Sequence, residues 1–352
     1  MGSKPCSPLC HLFAIAISFL LAKSVASEEE NPLKSCDLFK GSWVFDDSYP
    51  LYDASTQCPF ANIGLDCLKY GRRDKMYLKY RWQPLGCNIP RFDGKVFLEK
   101  MRGKKIMFVG DSLSSNQWQS LGCMLHSSAL PSSNFTLETR GLITTLSFPE
   151  YGVSVMFMKN GFLVSLVNRT LKLDTLRGSD LWIGVDVLIF NSYHWWTHTG
   201  RLQTWDNYQI GDKIIPDMDR MVAYKIALTT WANWVDSKID PTKVSVFYQG
   251  ISAVHYNGSE WEQPSKNCVG QTTPVEGGAY GGGTPAGDAA VRSVLSNMKK
   301  GVYFLDILLQ SQLRKDGHPS VYVRGGVDCS HWCIAGVPDT WNQLLYTILL
   351  HT

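Results

Sequence analysis

The sequence lacks the features that mark most nucleic-acid-binding, fibrous or disordered proteins. Its 352 residues carry a formal net charge of only +3, without a basic run, so the charge pattern gives no indication of nucleic acid binding. It has no internal repeat, and after the N-terminal leader no apolar run is long enough to cross a membrane. With 44% hydrophobic and 18% charged residues, the composition is that of a folded protein with a large core.

The first 26 residues predict either a signal peptide or a membrane anchor. Lys4 precedes an apolar run of about 14 residues from Leu9 to Ala22, and Ser24-Val-Ala26 has the small residues that signal peptidase requires. A spanning helix needs about 20 apolar residues, so the residues alone favour a cleaved signal peptide. A short acidic and polar stalk over residues 27–35 follows. Either route delivers the rest of the chain to an oxidising lumen.

The cysteines support that compartment. Two of the ten lie in the leader, and eight remain as an even set: Cys36, Cys58, Cys67, Cys87, Cys123, Cys268, Cys329 and Cys333. Eight cysteines allow about 105 pairings, so the sequence alone leaves the pairing open. A zinc site formed by Cys329, His331 and Cys333 is the competing interpretation, but it lacks regular ligand spacing and does not suit an oxidising compartment.

One stretch predicts a nucleophilic serine. In residues 104–109 two lysines lead into four apolar residues, which is typical of a buried strand, and the strand ends at Gly110-Asp-Ser112. Apolar residues then recur at helical spacing, with Ser114 or Ser115 available as the N-cap. Ser112 would therefore lie in a tight strand-to-helix turn beside helix N–H groups, as an acyl-transferring serine requires. On its own, a Gly-Asp-Ser sequence more often only caps a helix.

A partner for this serine is found near the C-terminus, in Gly326-Val-Asp328-Cys-Ser-His331-Trp-Cys333. Asp328 and His331 lie three residues apart in a loop before the last helix, so one turn can present both side chains. An aspartate that orients an imidazole, and an imidazole that takes a proton from serine, complete the logic of a hydrolase triad. By local spacing alone His331 could equally be a solvated residue of a disulfide loop, but the two motifs together favour the triad.

Strand-like and helix-like runs alternate between the two motifs. The strand-like runs are Ile106–Val109, Val153–Phe157, Phe162–Val167, Val185–Phe190, Val244–Tyr248 and Val302–Leu305. The helix-like runs are Ser115–His126, Asp217–Val235, Asp288–Lys300, Ile307–Arg314 and a final helix that starts at Pro338. This alternation predicts an α/β fold with a parallel sheet and helices on both faces. Residues 36–93, rich in cysteine and poor in periodicity, predict an irregular disulfide-stapled segment packed on a catalytic core over residues 94–352.

The paired motifs resemble those of the plant trichome birefringence-like (powdery mildew resistance-type) family, which is related to SGNH (GDSL-type) esterases. Further agreement is found in Cys36-Asp-Leu-Phe-Lys-Gly-Ser-Trp43, Arg81-Trp-Gln-Pro-Leu-Gly-Cys87, Pro90-Arg-Phe92, Asn116-Gln-Trp118, Phe190-Asn-Ser-Tyr-His-Trp-Trp196 and Asp316-Gly-His-Pro-Ser320. The resemblance extends from Cys36 to the C-terminus. It implies an SGNH-like fold in which four disulfides form, one of them joining the N-terminal cysteines to the Cys329/Cys333 loop.

The resemblance also implies the rest of a site. Asn191 corresponds to the third-block asparagine of SGNH enzymes and would donate to an oxyanion together with the backbone N–H of Ser112. His194, Trp195 and Arg81 are candidates for an acceptor cleft. His194 could equally satisfy a buried hydrogen bond, and Arg81 could equally form a structural ion pair.

The function implied by the resemblance is O-acetyl transfer through an acyl-serine to a wall polysaccharide, with xylan, pectin or mannan as acceptor. No bound cofactor or metal is expected, but an acetyl donor is required, and acetyl-CoA is one candidate. If water replaces the acceptor hydroxyl, the protein is an acetylesterase; a non-catalytic wall protein that bridges pectin is a third hypothesis. Many relatives carry an arginine-threonine pair, and a proline at position 253, within the stretch aligned with Tyr248–His255, so xylan specificity does not carry over.

The resemblance changes the expected location of the protein. Many family members are held in the Golgi membrane by an uncleaved N-terminal anchor, which implies a type II Golgi protein, whereas a cleaved leader would send the chain to the cell wall. Three sequons, at Asn134, Asn168 and Asn257, fit a glycosylated luminal surface. The expected partner is a polysaccharide, and the oligomeric state is left open.

Overall fold

The structure, a computed structural model, describes residues 1–2, 36–60, 64–129, 134–323 and 326–352. The chain divides into two compact units, Met1–Cys36 and Asp37–Thr352, and the fold described below is that of the second. The predicted leader and stalk lie outside the described residues, apart from Met1 and Gly2. Within the described ranges no helix is both long enough and apolar enough to span a bilayer.

The second unit is built from strands and helices that alternate through most of its length. The strands are β1 (Asp37–Phe45), β2 (Tyr80–Leu85), β3 (Lys105–Gly110), β4 (Thr136–Arg140), β5 (Ile143–Phe148), β6 (Val153–Lys159), β7 (Val164–Val167), β8 (Thr170–Leu176), β9 (Val187–Phe190), β10 (Asn207–Ile210), β11 (Lys213–Ile215), β12 (Ser245–Gln249) and β13 (Tyr303–Leu305). The α-helices are α1 (Ala54–Gln57), α2 (Gly94–Lys100), α3 (Ser112–Ala129), α4 (Arg220–Lys238), α5 (Ala286–Leu295), α6 (Leu308–Gln312) and α7 (Val337–Leu350).

The central sheet has seven strands in the order β13-β12-β9-β3-β6-β5-β4. The five strands from β13 to β6 are parallel, whereas β5 and β4 add an antiparallel edge. The predicted α/β fold is confirmed, and this mixed edge is an addition that the sequence analysis did not include. The chain leaves β3 toward β6 first and returns to β9 on its other side. Strand order therefore reverses at β3, and open α/β sheets bind ligands at such a reversal, outside the carboxyl ends of the strands.

Two smaller sheets lie outside the central one. Strands β11-β10-β8-β7 form a four-stranded sheet, and β1 pairs with β2 in an antiparallel hairpin within the cysteine-rich segment. The predicted strand Phe162–Val167 is thus real as β7, but it belongs to the second sheet. Its short apolar run indicates a strand without identifying the neighbour with which that strand pairs.

Tryptophans fill the core rather than the surface. Nine of the twelve are buried, and only Trp43, Trp195 and Trp234 are partly exposed. The surplus of aromatic residues is therefore mostly core packing. This observation narrows the search for a sugar-stacking ring to very few positions.

All eight cysteines that follow the predicted leader are disulfide-bonded. The bridges Cys58–Cys123, Cys67–Cys333 and Cys268–Cys329 lie within the second unit. Cys67–Cys333 joins the N-terminal cysteine cluster to the loop after His331, as the family resemblance implied. Because Cys329 and Cys333 are both in disulfides, the competing zinc site is wrong. Among the described residues no cluster of three or more histidine, cysteine or acidic side chains could hold a metal ion.

Candidate active site

Ser112 is the first residue of α3, immediately after the buried strand β3. The preceding residue caps the helix: Asp111 Oδ1 accepts from the backbone N–H of Leu113 at 2.8 Å. The predicted caps Ser114 and Ser115 are therefore wrong, because the helix already begins at Ser112 and the Asp111 carboxylate accepts from the N–H of Leu113 in its first turn. Ser112 is only partly buried, so its hydroxyl lies at the accessible rim of the carboxyl edge of the sheet.

The turn leaves no room for a side chain at the end of β3. A Cβ on Gly110 would lie 2.6 Å from Ser114 Oγ and 2.7 Å from the carbonyl oxygen of Asn191. Glycine at this position therefore allows β3, α3 and the segment after β9 to approach one another closely. The residues that follow β3 and those that follow β9 meet at the place where strand order reverses.

Asp328 and His331 form a hydrogen-bonded pair in the loop before α7. His331 Nδ1 lies 2.7 Å from Asp328 Oδ2, which orients the imidazole and leaves its Nε2 edge available. The other carboxylate oxygen of Asp328 accepts from the backbone N–H of Ser330 and His331 at 2.9 and 3.0 Å. The carboxylate is thus fixed on both oxygens, which is how the aspartate of a triad holds its histidine.

The pKa values of the pair shift in opposite directions. Burial alone would oppose ionisation of Asp328, but the hydrogen bonds and charge of His331 lower its pKa far below the ordinary value of 3.8. Burial likewise disfavours a charged His331, yet the hydrogen bond and charge of Asp328, with a contribution from Asp111, raise its pKa above 6.5. His331 is consequently a stronger base than an unassisted histidine.

Two reciprocal hydrogen bonds hold the loop of His331 against α3. The side chain of Asn116, one turn after Ser112, accepts from the backbone N–H of Trp332 at 2.8 Å and donates to its carbonyl at 3.2 Å. Asn116 and Trp332 are both fully buried. Residues separated by more than 200 positions are thereby fixed against each other, and the loop that carries His331 faces the first turn of the helix that begins at Ser112.

Buried polar atoms gather beside the turn. Asp111 Oδ2 lies 3.8 Å from His194 Nδ1, and neither atom has a hydrogen-bond partner within the described part of the chain. The Oδ1 of Asn191 is equally buried and unpartnered, and none of the described residues accepts from its Nδ2. Unpartnered buried polar atoms are costly, and those at the ends of β3 and β9 lie at the sheet edge where open α/β sheets bind ligands.

Comparison with known proteins adds to this geometry. Residues 89–348 match a family described as the GDSL/SGNH-like acyl-esterase family found in Pmr5 and Cas1p, and residues 34–88 match the PMR5 N-terminal domain. Trichome birefringence-like 42 of Arabidopsis thaliana is 53% identical, over 96% of this chain and 98% of its own. Trichome birefringence-like 38 (51%; 93% and 87%) and 41 (49%; 99% and 100%), from the same plant, are similar to nearly the same degree. The chain belongs to the trichome birefringence-like family.

Membership of the trichome birefringence-like family supports a general class of chemistry, and the disulfides indicate the compartment. The acyl-esterase-type domain supports acyl transfer or ester cleavage on a wall polysaccharide. The disulfides are those of a protein of the secretory pathway, because the cytosol keeps thiols reduced. The sequons of this trichome birefringence-like protein are accessible, since Asn134, Asn168 and Asn257 are all exposed.

The structure separates the three acceptor-cleft candidates. His194 lies beside Asp111, as described, and the partly exposed ring of Trp195 lies under Lys159 Nζ at 5.3 Å from the ring centre. Arg81 is on β2, where it pairs with Asp46 at 3.0 Å, which is the structural alternative weighed for it. In the described residues no contact joins Arg81 to the turn at Ser112.

Two residues that build the site were not singled out from the sequence. Asn116 and His318 were noted only as parts of motifs shared with the family, yet Asn116 anchors Trp332 and His318 contacts the carbonyl oxygen of His331 at 2.6 Å. Neither residue stands out by spacing or composition. Asn116 shares its side of the helix with Ser112, Gln119 and Ser120, so no local pattern in the sequence marks it.

Proposed function

We propose that this protein is a polysaccharide O-acetyltransferase that works through an acyl-serine intermediate. The observation that carries the proposal is the fixed Asp328–His331 pair, held by Asn116 against the first turn of the helix that begins at Ser112. A serine at a helix N-terminus, beside a histidine made more basic by an aspartate, is the arrangement that acyl transfer requires.

The reaction proceeds in two steps. His331 removes the proton of Ser112 as its oxygen attacks the acetyl carbonyl of the donor; the Ser–O–acetyl bond forms, and the leaving group departs with that proton. His331 then removes the proton of a polysaccharide hydroxyl, which attacks the acyl-serine and restores the Ser112 hydroxyl. The backbone N–H of Ser112 and the amide of Asn191 donate to the oxyanion in both steps. The donor supplies only the acetyl group, and acetyl-CoA has the required thioester chemistry.

Ester hydrolysis is the second candidate function. The same groups would catalyse it if water reached the acyl-serine, and the matching family is described as one of acyl-esterases. The chain also lacks the arginine-threonine pair that many relatives carry in the stretch aligned with Tyr248–His255. The backbone also differs from that of relatives with a proline at position 253. The N–H of Ala253 donates to Ser311 Oγ at 2.9 Å, and a proline has no N–H with which to make this bond.

A single assay with two polymer states distinguishes the candidates. Purified protein is incubated with labelled acetyl-CoA and deacetylated xylan, homogalacturonan or glucomannan, and separately with the acetylated polymers alone. Label in the polymer supports transfer, whereas acetate released from the acetylated polymer supports hydrolysis. A protein that binds pectin without either activity would be the bridging wall protein of the third hypothesis.

The serine variant tests the mechanism. Ser112→Ala should lower turnover by about 10³-fold or more, because the attacking oxygen is removed. Ser115→Ala is the matched control, one turn into the same helix and partly buried, and should leave turnover within about threefold. Unchanged activity in Ser112→Ala would remove the proposed function.

Cell location and domain organisation are part of the same proposal. The leader acts as a Golgi signal anchor, residues 36–93 pack on the catalytic core of residues 94–352, and the glycosylated side faces the lumen. Mass spectrometry of the mature N-terminus tests the anchor: an intact Met1 region supports it, and a start near residue 27 shows a cleaved leader and secretion to the wall.

A further inference from the structure

Two buried histidines connect the backbone of His331 to the end of α6. His255 Nδ1 lies 2.6 Å from His318 Nε2, His255 Nε2 lies 2.8 Å from the carbonyl oxygen of Gln312, and His318 Nδ1 lies 2.6 Å from the carbonyl oxygen of His331. Their exposed fractions are 0% and 1%, so water does not compete for these contacts. The arrangement is a chain of three contacts with a carbonyl at each end.

The number of protons in this chain does not match the number of contacts. A carbonyl oxygen only accepts, so the two end contacts need N–H groups on His255 Nε2 and His318 Nδ1. Two neutral imidazoles carry one N–H each, which leaves two lone pairs facing each other across the central contact. Three contacts need three protons, one more than the neutral pair holds. While the pair is neutral, its two protons can serve only two of the three contacts. One contact, either the central one or one of those to the Gln312 and His331 carbonyls, is therefore lost.

We propose that His318 positions His331, and that the His255–His318 pair takes up one proton, which closes the chain and fixes the His331 carbonyl. In the neutral pair, the tautomer of His318 with its proton on Nε2 has no N–H at Nδ1, so it cannot donate to the His331 carbonyl. With the third proton in the central contact, His318 Nδ1 donates to the His331 carbonyl in every molecule. The proton passes from solvent to the pair, and no covalent bond is made or broken.

The contact between His318 and the His331 carbonyl matters because the neighbouring backbone groups are already held by other hydrogen bonds. The N–H of His331 donates to Asp328 Oδ1 at 3.0 Å, and the N–H of the next residue, Trp332, donates to Asn116. The His318 ring also stacks on the Trp332 ring at 4.0 Å between centres. The carbonyl of His331 belongs to the same planar peptide unit as the Trp332 N–H, so Asn116 holds one side of that unit and His318 holds the other. Only the His318 contact depends on a proton, and its loss would leave this unit, and the imidazole next to it, less firmly fixed.

The surroundings place this proton uptake in the acidic range. Burial is the main influence and lowers the pKa of both residues, that of His255 to about 4. Asp316 raises the pKa of His255 and Lys315 lowers it, while Asp328 raises the pKa of His318 and His331 lowers it. The other charged or titratable groups packed around the pair are Arg72, which donates to the His318 carbonyl, and the Tyr280–Glu260 pair, whose tyrosine ring faces His255.

Nitrogen-15 NMR of the histidine-labelled protein tests the proton count without any assay of activity. Between pH 8 and pH 3 the ring nitrogens of His255 and His318 should gain one proton between them, with the uptake centred in the acidic part of that range. At the acid end, His318 Nδ1 and His255 Nε2 should both be protonated. His255→Asn offers an amide to His318 Nε2 and should fix the Nδ1–H tautomer of His318 across the same pH range. A pair that takes up no proton between pH 8 and pH 3 would overturn the proposal.

A matched pair of variants at position 318 tests positioning, and this arm rests on the proposed function. His318→Asn places an amide N–H where Nδ1 was and should keep kcat within about threefold of the wild type, because the donor to the His331 carbonyl remains. His318→Gln extends its amide toward the Nε2 position and should lower kcat about tenfold or more with KM unchanged, because that donor is lost. Equal losses in the two variants would mean that position 318 only fills space, and would overturn the proposal. If Ser112→Ala kept full activity, the proposed function would fall while the NMR result stood.

Discussion

Among single residues, Asp328 determines how strong a base His331 is. The pKa of His331 lies above 6.5 because of the Asp328 hydrogen bond and charge, although burial acts against it. His331 accepts a proton only when neutral, so activity is present above its pKa and is lost as the pH falls through it. We predict that the acid limb of kcat/KM has its midpoint above pH 6.5.

Removing the negative charge of Asp328 should move the acid limb of the kcat/KM profile. In Asp328→Asn the midpoint should shift to lower pH and kcat should fall by about 10⁴-fold, since neither the imidazolium nor the correct tautomer is stabilised. Ser330→Ala is the control: it removes a hydroxyl that lies 3.0 Å from Asp328 Oδ1 and 3.5 Å from His331 Nδ1 but keeps the carboxylate, and it should shift the midpoint far less. An acid limb that stayed in place in Asp328→Asn would contradict the assignment of His331 as the base.

The oxyanion role of Asn191 can be separated from a structural one. Asn191→Ala should lower kcat by about 10²–10³-fold with little change in KM, because the donor acts only on the charge that develops in the transition state. The control is Asn160→Ala, a buried asparagine after β6 whose amide donates to the carbonyls of Leu163 and Arg177. It should lower Tm but reduce kcat much less. Similar kcat losses in both would argue against an oxyanion donor at Asn191.

Residues that act through a local pattern could be predicted from the sequence, whereas residues that act across the fold could not. Asp328 and His331 are three positions apart, and their hydrogen bond is a property of one turn. Asn116 and Trp332 are 216 positions apart, so their contact exists only once the sheet has formed. His255 and His318 are likewise 63 positions apart, and their pairing depends on the stacking of His318 on Trp332.

At the scale of elements, Asp339 links the first turn of α7 to α3. Its carboxylate accepts from the Gly336 N–H at 2.9 Å, from Ser120 Oγ at 2.6 Å and from Tyr52 at 2.9 Å. Burial raises its pKa to about 6, from an ordinary value of 3.8. A raised carboxyl pKa means that the folded state binds the proton more tightly, so this contribution to stability is complete below about pH 4 and is lost as the pH rises through about 6.

Asp339→Asn should therefore flatten the pH dependence of stability. Urea unfolding between pH 4 and pH 7 should show that the free energy of unfolding of the wild type, measured relative to that of the variant, declines by about 1–3 kcal/mol as the pH rises. Ser120→Ala removes a hydrogen bond that lowers the pKa of Asp339, so it should move the decline to higher pH. If Asp339→Asn keeps the wild-type slope, the decline has another source.

The elements that the sequence predicted are those with continuous apolar character. The core of β3 and most of α4 were predicted nearly in place, and α4 begins at Arg220 rather than Asp217 because Asp219 accepts from the N–H groups of Met221 and Val222. The hairpin β4–β5 was missed. Its first strand is exposed along its whole length, so it has no buried face to produce a hydrophobic pattern. Its place is set by pairing with β6.

At the scale of the whole molecule, the cysteine bridges should differ in their contribution to stability. Cys67–Cys333 spans 266 residues, whereas Cys268–Cys329 spans 61. Removing either bridge should cost about 2–5 kcal/mol, and the longer loop should cost about 1 kcal/mol more, because it restricts the unfolded chain more strongly.

Paired serine substitutions measure this difference. The double variant Cys67→Ser/Cys333→Ser should unfold at lower urea concentration than Cys268→Ser/Cys329→Ser, without leaving a free thiol in either. Both should also lose turnover, since Cys333 and Cys329 each lie two residues from His331. Equal midpoints and full activity in the first double variant would show that the bridge neither stabilises the fold nor holds the loop.

The Cys67–Cys333 bridge also determines what a protease could do to this protein. A single cut at any peptide bond between residues 67 and 333 would leave both fragments attached, with Ser112 and His331 in the same covalent molecule. On a non-reducing gel such a nicked protein would run as one species, and only a reductant would reveal two. Cleavage between Ser112 and His331 would thus leave intact the covalent path through the bridge, which is shorter than the path along the chain, and the two halves of the site would stay joined.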